Sequence, residues 1–517
     1  MRRIRSNASW KGKTDPVTAR LKNMSRSYIS IDLGATNGRI CVGRLTPDGT
    51  LSINEVHRFR NVPLYRDRHI YWDLPGILSE IEQGMIQAVS NHPGCVSIAC
   101  DSWALDHGFL DHNGKSIGLP HSYLDHRTHN FFEKIRDKVP LLDIYERTSS
   151  ALIPFATLGQ LFTTFHSHPE YCRTVKSFLF ICDLVHDHLC GVKACEISLA
   201  GASQLFSLRD KDWDRDLIHK AGLPEGIFPP VNSAGTILGQ LSPSIRQKLN
   251  IPDLQVIQSV CHDTASAIAA APLRSRKDLV ISAGTWSMMG LEVDQPVKGA
   301  KVMGLVCGTY PVPPNRLFLL RGVMGLYLLE RFMKELTVNN LDEILDSASV
   351  EKPFQCLFQP DHPLFAGQGS LSSALAEWCG MTDQPIPPTP GGIVRSLLES
   401  LALCSAESVN ILGELAGYCP ERIVMVGGGS RNRLLNQFIA NATGLAVHTG
   451  VAEAATAGNL LYQAIALGDL PGPESICEVI RNSFHEDIYA PSDQNIWKRA
   501  FKDYQQNGQR FSVRQKD

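Results

Sequence analysis

The sequence predicts an α/β protein of two related halves, each opening on a strand, a glycine turn and a second strand. A strand–turn–strand pattern at 28–45 returns at 278–292. The first half reads strand, strand, strand, helix, strand, the order of a mixed sheet that starts antiparallel and turns parallel. A glycine-rich strand-to-helix junction, G-G-G-S-R-N, stands at 427–432. The 517 residues are 43% hydrophobic and 20% charged, enough for two large domains with packed cores, and wholesale disorder is excluded.

Residues 28–32, Y-I-S-I-D, read as a buried strand. The turn from Gly34 to Gly38 leads to a strand near 40–45, and Pro47-Asp48-Gly49 turns the chain into a third near 51–59. Leu74, Leu78, Ile81, Met85 and Ala88 fall on one helical face, and 96–100 is a short apolar strand ending at Asp101. In the second half, 278–282 and 286–292 are strands around Ala283-Gly284-Thr285, and 317–320 is a third. Residues 326–336 read as a helix, and 393–415 as a longer one with Ile393, Leu397, Leu401 and Leu403 on its apolar face and Glu399 and Glu407 off it. A strand at 422–426, a helix from near Asn432, a strand at 445–448 and a helix at 453–466 complete the pattern. The stretches 311–314 and 385–390 are proline-rich loop material. The halves meet near Pro272.

Several function classes drop out. With 50 Lys+Arg against 52 Asp+Glu, bulk charge argues against nucleic acid or an anionic membrane as the main partner. No apolar run approaches bilayer-spanning length. The 14 cysteines are scattered without a C-x-x-C pair, as buried free thiols of a reducing compartment are. His121, His126 and His129 lack the spacing of a helical metal pair and read as a polar loop. Met288, Met289 and Met324 read as core. Residues 1–26 carry eight basic side chains against Asp15, with no apolar stretch of a secretory signal, and are set apart as a basic, disordered extension.

Four segments can carry chemistry. In D-L-G-A-T-N-G-R (32–39) a strand delivers Asp32, then a small-residue turn exposes N–H groups with Thr36 and Asn37 as added donors. Such a turn suits phosphate oxygens, and the carboxylate suits hydrated Mg²⁺; a plain hairpin turn is the alternative. A-G-T-W (283–286) repeats the device, so two phosphate clamps would face each other across a cleft. G-G-G-S-R-N lacks the dinucleotide spacing and fits packing of a nucleotide base or ribose better. In H-D-T-A-S-A (262–267), Asp263 either caps a helix or accepts a proton from an alcohol. Phosphoryl transfer needs that set of parts: cradle, metal and an aspartate for the attacking hydroxyl.

With S-A-G-T-W-S-M-M-G (282–290), V-M-G-L-Y-L-L-E-R (323–331), V-G-G-G-S-R-N-R-L-L-N-Q (426–437), L-D-H-R-T (124–128) and P-F-A-T-L-G-Q-L (154–161), these segments resemble the FGGY carbohydrate kinases over about 28–468, most nearly the rhamnulokinase branch. The resemblance implies two ribonuclease-H-like domains of the actin/hexokinase type, with ATP in the cleft between them and Mg²⁺. It implies domains at 27–272 and 277–480, and a C-terminal tail at 481–517. Asp263 would be the catalytic base. Ala35, Thr36, Asn37, Gly38, Arg39, Thr285, Glu330, Gly428 and Gly429 would meet ATP. Ala104, Asp106, His262, Asp263, Thr264 and Gly322 would meet the sugar, and Asp32 the metal. The reaction would phosphorylate a ketose on O1, with L-rhamnulose the first choice and L-fuculose or another ketose the alternative. A non-catalytic nucleotide-dependent binding protein is the alternative class. A small sugar and ATP would be the partners, in the cytoplasm, with neither nucleic acid nor membrane. Three positions depart from the branch: Ala104 replaces a glycine, Gly322 an asparagine and Glu330 a glutamine. The segment 196–205 resembles the fuculokinase version. Losing a side chain that bonds a hydroxyl can change the sugar accepted.

Overall fold

The computed structural model describes residues 25–366 and 369–514. Tyr28, Ile29 and Ile31 are buried along β1 (Arg26–Leu33), which runs antiparallel to β2 (Asn37–Leu45). The Pro47-Asp48-Gly49 turn feeds β3 (Leu51–Arg60). Helix α1 (Leu74–Asn91) starts where Asp73 accepts from the Gly76 N–H, and it buries Leu74, Ile77, Ile81, Met85 and Ala88. Then β4 (Cys95–Ser102) lies parallel to β1. With β5 (Thr236–Gln240) and β6 (Gln255–Gln258), the first sheet has the order β5-β6-β4-β1-β2-β3.

After α2 (Asp263–Ala269) the plan repeats. Strands β7 (Asp278–Ala283), β8 (Trp286–Val293), β9 (Cys307–Val312) and β10 (Arg316–Met324) are antiparallel neighbours. Helices α3 (Tyr327–Glu335) and α4 (Pro390–Ala416) follow. Next come β11 (Arg422–Val426), α5 (Arg433–Thr443), β12 (Val447–Thr449), α6 (Ala454–Ala466), β13 (Ile488–Tyr489) and α7 (Gln494–Arg514). The second sheet has the order β9-β10-β8-β7-β11-β12-β13, with β7–β11 and β11–β12 parallel.

Three expectations are corrected. Pro311 lies in β9, not a loop; β9 is an edge strand, where a missing N–H is tolerated. Glu399 is not on an outer face of α4. It is fully buried, bonded by Arg395 (2.8 Å) and by the Phe354 N–H (2.7 Å), because α4 packs on several sides. The segment expected as a tail at 481–517 supplies β13 and α7, and α7 buries Trp497, Tyr504 and Phe511 against the second domain. Residues 1–24 of the expected extension lie outside the described residues; Arg26 already belongs to β1 and pairs with Asp469 at 3.1 Å.

One apolar core fills each domain, and a third lies between the sheets around α2 and α6. These helices cross at Gly458, where a Cβ would come within 2.2 Å of the Ser266 carbonyl oxygen. Helix α6 comes late in the chain yet packs on β1 and β4 of the first sheet.

Candidate active site

Parallel pairing sets Asp32 and Asp101 side by side at the C-terminal ends of β1 and β4. Asp32 Oδ2 accepts from Arg39 (2.5 Å) and from the Thr456 hydroxyl (2.6 Å), which leaves Oδ1 to other partners. Asp101 is fully buried; Oδ2 accepts from Asn459 Nδ2 at 2.7 Å, and Oδ1 has no partner. Burial, then the charge of Asp32, pushes the Asp101 carboxyl well above the ordinary range. Gln463, one further turn along α6, donates to the Ile29 carbonyl (2.9 Å) and accepts from Ser97 (2.6 Å). Thr456, Asn459 and Gln463 thus form one polar stripe of α6 that grips the first sheet.

Asp263 is the first residue of α2, and His262 is its N-cap. The N-cap position thus falls one residue before Asp263, and the His262 side chain makes no cap bond. Its Oδ1 accepts from the Thr264 N–H (2.5 Å) and hydroxyl (3.2 Å), and its side chain keeps 32% exposure at the mouth of the recess. Burial by surrounding protein, with the charge of Asp32 second, pushes Asp263 up to about 7. Burial holds His262 down at about 4, so the ring is neutral, with Nε2 3.6 Å from Asp263. Glu196 fastens this loop. It accepts from the Cys261 N–H (3.2 Å) and from the Ser198 N–H and hydroxyl, and Ser198 Oγ accepts from the His262 N–H (3.1 Å).

Asp106 is fully buried. It accepts from Trp72 Nε1 (2.6 Å), Trp103 Nε1 (3.0 Å), Gln160 Nε2 (2.7 Å) and the Tyr123 N–H (3.1 Å). Burial outweighs these bonds and lifts it to about 6. Three of these bonds fall on Oδ2 and only that from Gln160 on Oδ1, so the carboxyl is held in one orientation with Oδ1 the less engaged oxygen. Ala104 is nearly buried beside Trp103.

The 34–37 turn is closed by Gly34 N–H to the Asn37 carbonyl (2.8 Å), with Ala35 half-buried and Thr36 and Asn37 exposed. Gly38 lies under Phe59, where a Cβ would sit 2.1 Å from the ring. In the second domain, Gly284 N–H bonds the Trp286 carbonyl (2.9 Å), and the Thr285 carbonyl accepts from Gly325 N–H (3.2 Å). Gly429 is buried with room for no Cβ beyond 2.4 Å from that of Ala283, and Gly428 is exposed. Glu330 is exposed in the first turn of α3, and Gly322 is exposed on β10 opposite Met288. The Tyr123 hydroxyl meets the indole of Trp286, itself 43% exposed, and lies within electrostatic reach of Asp263 and Tyr327. This contact brings the second-domain turn to the Asp263 side of the cleft.

His126 and His129 touch each other on the surface, as a polar loop does. Cys182, His186 and Cys261 gather in the core, out of sequence register. There His186 Nε2 accepts from the Cys100 N–H (3.3 Å), which puts the ring proton on Nδ1, toward Cys182.

Family models for FGGY carbohydrate kinases match the N-terminal domain at residues 27–270 and the C-terminal domain at 279–467. The chain belongs to this family. It is 33% identical to a rhamnulokinase of Pectobacterium carotovorum subsp. carotovorum, covering 94% of this chain and 96% of that one. It is 31% identical to a rhamnulokinase of Ligilactobacillus salivarius, over 93% and 98%. Among solved structures, a gluconate kinase of Lactobacillus acidophilus shares the fold with a TM-score of 0.79 at 15% identity, over 93% and 97% of the two chains. A xylulose kinase of the same organism gives 0.78 at 15%, also over 93% and 97%. The protein is thus a sugar kinase with two FGGY domains. No helix among the described residues is long and apolar enough to cross a membrane.

Asp101, Glu196, Thr456 and Asn459 carry no site role in the sequence expectation. The signal available was thin: Glu196 opens a short helix as its N-cap, and Thr456, Asn459 and Gln463 are polar residues three and four apart in an apolar helix.

Proposed function

We propose that the protein transfers the γ-phosphoryl group of ATP to the O1 hydroxyl of L-rhamnulose, with Mg²⁺ as the cation. The observation that carries the reading is Asp263: a half-open carboxyl raised to about 7, under the charge of Asp32, on the loop whose His262 bridges to Ser102 at the end of β4. A base is most effective with its pKa near the working pH. The rhamnulokinase relatives favour rhamnulose among ketoses.

In this reading the lobe at 27–272 supplies the base, the sugar pocket and the first phosphate turn, and the lobe at 277–480 supplies the ATP side. Asp263 takes the O1 proton as the hydroxyl oxygen attacks phosphorus. Neutral His262 and Thr264 orient the sugar, with Ala104 and Gly322 setting the room around it. Ala35, Thr36, Asn37, Gly38 and Arg39 meet the phosphates from one side. Thr285, Gly428, Gly429 and Glu330 meet the nucleotide from the other. Asp32 fits the metal: a hard oxygen donor, held on one oxygen by Arg39 and Thr456, with the other free. When bound, Mg²⁺ neutralises phosphate charge and keeps the transferring group in line. Closure of the lobes would exclude water and so limit ATP hydrolysis. A cytoplasmic location suits a chain whose 14 cysteines are all unpaired.

The fuculokinase-like segment 196–205 favours L-fuculose as a second reading, because Glu196 and Ser198 fasten the loop that carries Asp263. The test is ATP turnover with a panel of ketoses. Rhamnulose is expected to give the highest kcat/KM. Turnover with fuculose and none with rhamnulose would reassign the sugar, and no turnover with any ketose would overturn the ketose reading.

A further inference from the structure

The least explained polar group in the cleft is Asp101. Parallel register pairs it with Asp32, and the side chain is wholly buried. Asn459 holds one oxygen at 2.7 Å, and the other has no donor. Asp183, Glu196 and Asp253 each leave an oxygen unpartnered as well, but of the four only Asp101 is paired in register with Asp32, where an ion or water can answer it. The fold does not demand an acid here, because the matching place in the second sheet, beside Ser282, is Val426. Nor does Arg39 neutralise it by contact: its short bond goes to Asp32.

We infer that Asp101 is a second ligand of the cation seat, its free Oδ1 holding the divalent ion, directly or through one water, beside Asp32. The inference rests on the Asp32 reading above and extends it. Asp32 and Asp101 stand at paired positions of adjacent strands, so a cation seated there meets two hard oxygen donors at once. An all-oxygen donor set selects Mg²⁺ or Mn²⁺ over softer ions. Asn459 fixes the carboxylate plane from α6, so a helix encoded in the second half sets the geometry of a seat in the first.

The experiment is Mn²⁺ titration of the full chain, followed by electron paramagnetic resonance with a non-hydrolysable ATP analogue present. Wild type, Asp101→Asn and Asp32→Asn are compared, with nucleotide affinity in EDTA and thermal unfolding as controls. Asp101→Asn is expected to weaken Mn²⁺ about tenfold or more while metal-free nucleotide binding stays unchanged. If it binds Mn²⁺ like wild type while Asp32→Asn does not, the inference fails and the Asp32 reading stands. If both bind like wild type, both fail. Should Asp101→Asn not fold, Asp101→Ser, which keeps a small acceptor for Asn459, decides by the same criterion.

Discussion

In the first sheet Asp32 faces Arg39 on one neighbouring strand and Asp101 on the other; in the second sheet the matching register positions hold Ser282, Met288 and Val426. The backbones agree: antiparallel hairpin on one side, parallel strand on the other, glycine turn between. The side chains diverge. The first turn is framed by charge and needs outside help, from Thr456 and Asn459 on α6, to hold it. The second is framed by close backbone packing, with Gly325, Gly427 and Gly429 leaving no room for a Cβ against residues 283–287. A repeated fold therefore keeps its geometry in both copies and its paired acids in one.

The comparison can be broken in graded ways. The largest effect is expected from Asp263→Asn, about 10³-fold lower kcat with ATP affinity retained, by steady-state kinetics and calorimetry. An unchanged kcat would remove Asp263 from the chemistry. Next, giving the second sheet the first sheet's acid, Val426→Asp, should cost about 3 kcal/mol in urea unfolding, since Val426 is fully buried in the apolar core between the sheets. Gly38→Ala should cost about 2 kcal/mol because the new methyl collides with Phe59, and Phe59→Leu should recover part of it.

The smallest effect is on pH. Because Asp263 is raised from 3.8 to about 7, the base form is populated only above about 7, and kcat/KM should fall tenfold per unit below that. Burial is the larger cause and the Asp32 charge the second, so Asp32→Asn should move this limb to lower pH without restoring an ordinary carboxyl. The same raised value means Asp263 stabilises the fold less as pH rises from about 4 to about 7, where the folded chain would otherwise keep the proton.

The hairpins could be read from the sequence because Tyr28–Asp32 and Leu279–Ser282 alternate little and end in glycine turns, a local signal. Asp263 could be read because a small-residue helix follows it. What escaped was long-range or edge-dependent. The bond from Asn459 to Asp101 spans 358 residues, and no period in either segment encodes it. Pro311 passes for loop until an edge position excuses it, and Glu399 passes for a surface acid until Arg395 and the Phe354 amide surround it. The donors that hold Asp106 come from Trp72, Trp103, Tyr123 and Gln160, and only the fold gathers them.

The crossing of α6 beneath the first sheet has a consequence for the gene. Severing the polypeptide near Pro272 would strand the leading fragment without its floor, with Tyr28, Leu45 and Leu51 bared and Asp32 and Asp101 parted from Thr456 and Asn459. The two halves are interlocked through α2 and α6, and each is expected to be unstable when expressed alone.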